Sequence, residues 1–225
     1  MNFPSLQVNN FFDNPDYILN YANSLTYEKE NLYPGTRTKP LHILNKELFK
    51  DINSKIIRLL YPKWDIYSQI EWSALSMFQK INYDDVKLHM LNEKNPGKGW
   101  VHNDNEIKFT AIVYLSKGKD NGTAIYSKDD GFTLVRVKEQ QIKYDYYNGK
   151  EQSKDIYLQS LNENINSYNI ECLFNSSYNK LIGFDGSNPH GAFFNLKPDD
   201  ERITFISFFT DIIAPYFPVP EMRRV

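Results

Sequence analysis

The sequence has one cysteine, no long apolar run and almost no net charge, and each shortage excludes a class of protein. Cys172 is the single cysteine among 225 residues, so no intramolecular disulfide can form and a reducing, cytoplasmic setting is expected. No run approaches the roughly 18 apolar residues of a membrane span, and residues 1–10 lack the features of a secretory signal. A net charge of −2 gives no general attraction to duplex nucleic acid or to a membrane surface.

The composition is otherwise that of an ordinary globular protein. Hydrophobic residues make up 41% and charged residues 24% of the chain, and no repeat or flexible linker interrupts it. We therefore expect one domain over residues 1–225, with helical support over about 1–65 and a β-rich core over about 70–212. Cys172 lies in an apolar stretch and is expected to be a small buried residue.

The N-terminal part carries two helical patterns. Apolar residues at helical spacing predict a helix from Pro15 to Leu25, with Asn14 as its cap, and a second from Lys46 to Leu60 that Pro62 ends. Residues 33–38, between the two helices, are turn-like.

After about residue 70 the pattern changes to short β-rich segments. The predicted strands cover residues 72–82, 108–115, 122–126, 132–137, 180–184 and 202–209, and residues 151–164 are predicted to be helical or irregular. Two helices followed by many short strands indicate an α+β fold whose strands form a sandwich or barrel. The double-stranded β-helix, or cupin-like jelly roll, is one such closure, and composition alone does not select it.

His102 and Asp104 form the first part of a candidate metal site. Residues two apart in an extended segment project to the same side, so this imidazole and this carboxylate can converge on one ion. Two histidines and one carboxylate suit Fe(II) and leave positions open for substrates and O₂. The pair is weak evidence by itself, because it also fits a surface turn with a capping aspartate.

His190 and Arg202 are candidates for the distant partners of this pair. His190 follows an apolar strand through a turn, which places it at the end of a strand. Arg202 opens the next strand, where burial of a guanidinium is costly unless an anion meets it. A dicarboxylate cosubstrate would be such an anion, bound bidentately.

In this order the motifs resemble those of the Fe(II)/2-oxoglutarate oxygenase superfamily. The similarity is closest to its prolyl-hydroxylase-like branch and to small members common in phage, and it spans nearly the whole chain. The resembling segments are residues 10–16, His102-x-Asp104, Gly122–Tyr126, Asn179–Gly186, His190 and Arg202-x-Thr204. The chain departs from the usual pattern at Asn121-Gly122, where two glycines are common, and over residues 83–99, which match nothing in it.

The resemblance implies a jelly-roll core with N-terminal flanking helices, and it assigns roles to residues. His102, Asp104 and His190 would bind Fe(II). Arg202 would pair with the distal carboxylate of 2-oxoglutarate, and Thr204 would donate a hydroxyl hydrogen bond.

A tyrosine commonly helps to hold 2-oxoglutarate in that branch, and Tyr114 is the preferred candidate over Tyr83. The implied reaction uses O₂ and 2-oxoglutarate to hydroxylate a C–H bond, with release of succinate and CO₂ and with ascorbate as a candidate reductant. Halogenating relatives replace the metal carboxylate with a small residue, so Asp104 favours hydroxylation.

Two other functions fit the same residues. The protein could be a cupin-like metal enzyme that does not use 2-oxoglutarate, or a non-catalytic jelly-roll binding protein whose histidines cap and pack. His42 and His89 stand singly among apolar residues and are expected to be structural, whereas Trp100 could line the substrate mouth. The primary substrate, a protein side chain or a small molecule among the candidates, and the oligomeric state are not predictable from the sequence.

Overall fold

The structure is a computed structural model that describes residues 3–30, 33–62, 70–104, 106–118, 122–128, 136–150, 153–216 and 218. Its helices are α1 (Pro15–Ser24), α2 (Leu41–Leu44), α3 (Lys46–Leu60), α4 (Tyr83–Met90), α5 (Arg136–Tyr147) and α6 (Ser153–Asn166). Its strands are β1 (Leu6–Val8), β2 (Tyr27–Glu28), β3 (Thr36–Thr38), β4 (Glu71–Asn82), β5 (Phe109–Tyr114), β6 (Gly122–Lys128), β7 (Tyr168–Asn175), β8 (Lys180–Asp185), β9 (His190–Phe193) and β10 (Glu201–Ile213).

Within these ranges the strands form two antiparallel sheets. The larger sheet has the order β1-β8-β5-β10-β4-β3-β2, and the smaller has the order β7-β6-β9. Two isolated bridges, Lys98 with Phe193 and His102 with His190, extend the smaller sheet beyond β9. The predicted α+β class is confirmed, and the N-terminal segment adds the three strands β1, β2 and β3 to its helices.

The two predicted N-terminal helices begin where their caps are. The Asn14 side chain accepts a hydrogen bond from the backbone N–H of Tyr17, which satisfies a free donor at the start of α1. Asn45 does the same for the N–H of Leu48 in α3. Helix α3 has the predicted bounds, and α1 ends one residue early. No helix in the described ranges is long and apolar enough to cross a bilayer.

The large sheet buries both of its faces because its strands alternate two apolar sets. The outer set, which includes Phe78, Phe109 and Phe205, packs against α1 and α3. The inner set, which includes Ile112 and Ile206, packs against residues of β6 and β7 in the smaller sheet. The space between the two sheets is therefore partly filled by apolar side chains, and the chemistry-bearing residues lie at its edges.

Several parts of the chain differ from the sequence-based expectations. Helix α4 and strand β7 were not predicted, and residues 136–137, expected in a strand, begin helix α5. Residues 132–135 of that expected strand lie outside the described residues. Cys172 was expected to be buried, and this is wrong, because β7 is the edge strand of the small sheet and the thiol is exposed.

His89 was predicted to be a structural residue, and its contacts confirm this. The ring is 2% exposed, and its two nitrogens contact the Lys98 carbonyl and the Tyr157 hydroxyl, both at 2.8 Å. Burial lowers the pKa of His89 to about 4, so the imidazole is neutral and joins α4 to α6. His42 lies on the short helix α2, with its ring 5.6 Å from that of Phe49.

Gly183 on β8 is required by the packing of the outer face. A Cβ at this position would overlap the buried ring of Phe109. We expect Gly183→Ala to lower the free energy of unfolding by about 1–3 kcal/mol, because overpacking forces neighbouring side chains to shift. Urea denaturation followed by circular dichroism measures the change. Gly118→Ala is the matched control, since nothing lies within 4 Å of its Cβ position, and equal effects of the two substitutions would contradict the packing argument.

Candidate metal centre

A pair of backbone hydrogen bonds brings His102 and His190 side by side. The N–H of His102 donates to the carbonyl of His190 at 2.9 Å, and the N–H of His190 donates to the carbonyl of His102 at 2.7 Å. Residues paired in this way project to the same face of a sheet. The two imidazole centroids consequently lie 4.5 Å apart, although 88 residues separate them in the sequence.

Asp104 completes a cluster of three metal-binding side chains. One ligand atom from each of His102, Asp104 and His190 lies within 4.8 Å of the others. The carboxylate oxygens are 4.0 Å from Nε2 of His102 and 3.5 Å from Nε2 of His190. The distances between ligand atoms exceed by about 0.5–2 Å the roughly 3 Å between adjacent ligands around a metal with 2.1 Å bonds, so the side chains must rotate inward to bind one ion. The two-histidine, one-carboxylate donor set fits Fe(II).

Both imidazoles are held in the tautomer that metal binding requires. Nδ1 of His102 lies 3.0 Å from the carbonyl of Trp100, and Nδ1 of His190 lies 2.9 Å from the carbonyl of Asn188. A carbonyl only accepts, so each Nδ1 carries the proton and donates it. Each Nε2 then has a free lone pair aimed at Asp104, which is the arrangement of a histidine oriented for a metal.

Asp104 is positioned from two sides. Its backbone N–H donates to the carbonyl of Gly186 at 2.8 Å, which fixes the segment against the turn before His190. The hydroxyl of Thr110 donates to Oδ2 of Asp104 at 3.0 Å, and Thr110 lies on the rigid strand β5. Oδ1 faces Nε2 of His102 at 4.0 Å, and Oδ2, which accepts from Thr110, also faces Nε2 of His190 at 3.5 Å.

His102 is neutral at physiological pH. Desolvation, followed by the nearby His190 and Lys143, lowers the pKa of His102 well below its ordinary value. Its side chain is nevertheless 48% exposed, whereas that of His190 is 7% exposed. The His190 end of the site is thus buried, and the site opens to solvent on the His102 side, where a substrate could enter.

Arg202 is buried, and none of the described carboxylates forms an ion pair with it. The residue is 5% exposed, its Nη1 donates to the carbonyl of Gly122 at 3.3 Å, and its Nε has no hydrogen-bond partner. The guanidinium carbon lies 5.3 Å from the Tyr114 ring centre and 5.6 Å from that of Phe194. Aromatic faces compensate a desolvated cation only in part. The Arg202 guanidinium therefore has an N–H donor available for a carboxylate.

Thr204 and Tyr114 lie next to Arg202 on the inner face of the large sheet. They are paired across β10 and β5, and both are buried. The Tyr114 hydroxyl is 2.8 Å from that of Thr123 on β6, so Thr123 is a further polar group beside Tyr114 in the space between the two sheets. Tyr83, the other tyrosine candidate, packs against a separate apolar cluster that contains Phe194.

Sequence reasoning missed Thr110, Thr123 and Arg37. Thr110 and Thr123 lie inside apolar strands, where nothing in the sequence marks their hydroxyls as directed at Asp104 and Tyr114. Arg37 was predicted to lie in a turn, but it lies on strand β3, paired with Gln79 of β4, on the inner face of the sheet. Pairing with β4 reveals this position, and local sequence carries no sign of it.

Residues 2–209 match the model of DUF6445, a family of unknown function. The chain belongs to this family. No curated protein matches the DUF6445 chain.

Solved structures similar to the DUF6445 chain include 2-oxoglutarate-dependent enzymes. SnoN, a non-heme α-ketoglutarate-dependent epimerase from nogalamycin biosynthesis, has a TM-score of 0.51 and 8% identity, over 97% of this chain and 82% of SnoN. HygX from Streptomyces hygroscopicus, crystallised with nickel, 2-oxoglutarate and hygromycin B, has a TM-score of 0.50 and 9% identity, over 91% of this chain and 82% of HygX. A Pseudomonas putida prolyl-4-hydroxylase has a TM-score of 0.44 and 12% identity, over 92% of each chain.

The predicted jelly-roll-like fold with flanking N-terminal helices is confirmed by the first two likenesses. At these identities they show the fold alone, and the lower score of the prolyl hydroxylase does not assign the DUF6445 chain to that branch. A shared fold does not fix the function, which depends on the geometry of the residues in the site.

Thr110 should matter for metal affinity although it is not itself a ligand. Thr110→Val keeps the shape of the side chain but removes the hydrogen bond to Asp104, so we expect metal to bind about ten- to a hundredfold more weakly. Titration calorimetry with Ni(II) measures the constant. Thr210→Val, a substitution on the exposed part of the same sheet, is the control. Equal affinities of Thr110→Val and wild type would show that this hydroxyl does not orient the carboxylate.

Proposed function

We propose that this protein is an Fe(II)- and 2-oxoglutarate-dependent dioxygenase that hydroxylates a C–H bond of a primary substrate, with release of succinate and CO₂. The observation that carries the proposal is the convergence of His102, Asp104 and His190, with both Nε2 atoms free and both Nδ1 atoms tied to carbonyls. Capping or packing alone would not require the Nε2 atoms of two histidines and a carboxylate to lie within 4.8 Å of one another. The proposal assigns these three residues to the metal.

Arg202 is assigned to the distal carboxylate of 2-oxoglutarate. Its unpartnered Nε and its burial among aromatic rings leave a fixed positive charge in a low-dielectric pocket. A carboxylate bound there would form charge-assisted hydrogen bonds that are stronger than they would be in water. Thr204 and Tyr114, on neighbouring strands beside Arg202, are assigned as further contacts of the cosubstrate.

When bound, Fe(II) would supply the oxidative decarboxylation of 2-oxoglutarate and the oxidation of the primary substrate. The residues of this chain do the remaining work. The carbonyls of Trp100 and Asn188 hold the imidazole tautomers, and Thr110 holds Asp104. The apolar residues between the two sheets exclude water from the cosubstrate end, and the exposed side of His102 is the entrance for O₂ and substrate.

Two finer statements belong to the same proposal. The sequence motifs favour the prolyl-hydroxylase-like branch, with a likeness to small phage members, and Asp104 favours hydroxylation over halogenation. Substrates of protein or small-molecule type both fit, since HygX was crystallised with hygromycin B and a hydroxylase from Trichoplax adhaerens with a peptide. A cupin-like enzyme that does not use 2-oxoglutarate is the second candidate, and the unpartnered Arg202 disfavours it.

Turnover without the primary substrate tests the activity. We expect the protein with Fe(II), ascorbate, O₂ and 2-oxoglutarate to form succinate slowly, and Asp104→Ala to form none because it loses the metal. Succinate is quantified by mass spectrometry, and metal content by elemental analysis after dialysis. If Asp104→Ala retains Fe(II) with unchanged affinity, Asp104 is not a metal ligand and the proposed site is wrong.

Arg202→Met separates the two candidate functions. The substitution removes the charge but keeps most of the side-chain volume, so we expect 2-oxoglutarate to bind about a hundredfold more weakly while Ni(II) affinity changes less than about threefold. Calorimetry on the Ni(II)-loaded protein gives both constants. Arg58→Met on the exposed side of α3 is the matched control. Unchanged 2-oxoglutarate affinity in Arg202→Met would favour the cupin-like enzyme.

A further inference from the structure

A second arginine, Arg37, lies on the inner face of the large sheet, the face that carries Arg202. Arg37 pairs with Gln79 on β4, Gln79 pairs with Thr204 on β10, and Thr204 pairs with Tyr114 on β5. Directly paired residues share one face of a sheet, so all four side chains project to the inner face. Arg37 is two strands from Thr204, a backbone separation of about 10 Å.

The position of Arg37 is fixed by the tight turn before it. Gly35 has a φ of +79°, and a Cβ at this position would overlap the carbonyl of Lys80 on β4. The side chain of Gln79 donates to the carbonyl of Pro34 at 3.0 Å, which holds the same turn from the inner face. Strand β3 is therefore pressed against β4, and the direction of the Arg37 side chain follows from this contact.

The guanidinium of Arg37 reaches toward the metal side of the pocket. Its carbon lies 5.9 Å from the ring centre of Phe208. Phe208 pairs with Thr110, whose hydroxyl holds Asp104, so Arg37 approaches the triad through this neighbour. The charges of Arg37 and Asp104 also interact at longer range, which agrees with this placement.

Arg37 is stacked but is not paired with a carboxylate. Its carbon lies 3.6 Å from the ring centre of Tyr33, and its buried Nε has no hydrogen-bond partner. Within the described part of the chain, no carboxylate lies within the 4.0 Å of an ion pair with Arg37; Glu30 acts on Arg37 at longer range and accepts a hydrogen bond from the Tyr33 hydroxyl. The residue is half-buried, so a ligand can reach it from the pocket opening.

Charge balance in the proposed complex leaves Arg37 without a counter-ion. The charges of Fe(II), Asp104, 2-oxoglutarate and Arg202 cancel one another. The walls beside Arg37 are apolar, since Leu75 pairs with Phe208 on the inner face and is 39% exposed. An organic molecule with an apolar body and one anionic group would match both features.

We propose that Arg37 and Tyr33 form the subsite that binds an anionic group of the primary substrate, a carboxylate or a phosphate, while the apolar body lies along Leu75 and Phe208 toward the metal. This inference rests on the proposed function for the identity of the metal and the cosubstrate. The anion site itself depends only on the position of Arg37. Its role is to bind and orient substrate, and it touches neither 2-oxoglutarate nor the metal.

Small probes test this subsite without knowledge of the substrate. Benzoate and phenyl phosphate carry the two candidate anions, and benzamide is the neutral match of benzoate. Ligand-observed NMR titrations use the full-length protein loaded with Ni(II) and saturated with 2-oxoglutarate. We expect at least one anion to bind at least about tenfold more tightly than benzamide, and the tighter anion identifies the group.

Arg37→Gln should then reduce binding of that anion at least about tenfold and change benzamide, Ni(II) and 2-oxoglutarate binding by less than about threefold, because the charge of Arg37 acts on the triad only at longer range; retained binding also shows that the variant is folded. Arg37→Lys should retain part of the affinity, and it takes the place of Arg37→Gln if the latter does not fold. Arg58→Gln, the same charge change on the exposed side of α3, should bind all probes like wild type.

The subsite is overturned if both anions bind no better than benzamide, or if Arg37→Gln binds them as wild type does. A loss of 2-oxoglutarate binding in Arg37→Gln would also overturn it, because Arg37 would then serve the cosubstrate. Failure of wild type to bind Ni(II) or 2-oxoglutarate would instead refute the proposed function. The probes are in that case titrated into the metal-free protein, where the same comparison of Arg37→Gln with Arg58→Gln decides the anion site alone.

Discussion

The candidate site depends on the two reciprocal hydrogen bonds between the backbones of His102 and His190. This pair attaches the segment before β5 to the edge of the small sheet, and it sets the imidazoles at a distance that one ion can bridge. The orientation of Asp104 follows, because the same segment continues to the turn before His190, where the Asp104 N–H meets the Gly186 carbonyl. Backbone geometry thus places the ligands before any metal binds, which is the preorganisation that metal sites need.

The inner face of the large sheet carries two arginines among apolar side chains. Arg202 and Arg37 lie on the same face of the sheet, both with an unpartnered Nε and both against aromatic rings. Burying a guanidinium without an anion costs stability, so this arrangement is a cost that the fold carries for function. The two arginines are placed differently. Arg202 is deep, at 5% exposure, whereas Arg37 is half-buried near the opening. In the proposed function, this difference in depth separates the arginine assigned to 2-oxoglutarate from the arginine assigned to the primary substrate.

Local chemistry explains what the sequence could predict. Asn14 marks the start of its helix because a cap is a local interaction, and His102 with Asp104 could be recognised because spacing of two residues fixes a common side in an extended chain. Arg37 was missed because its role depends on pairing with a strand more than 40 residues away. Cys172 was misplaced because an apolar run does not show whether its strand is central or at an edge.

The hairpin of β2 and β3 stands at the margin of the large sheet, far in sequence from all three residues of the triad. Exchanges within residues 33–38 can change Tyr33 and Arg37 while the residues of the triad stay the same. Because the hairpin and the triad are separate in the sequence, substitutions in the hairpin can change substrate selectivity without changing the triad. If both proposals hold, members of DUF6445 that share the triad would differ in substrate selectivity through substitutions in this short edge hairpin.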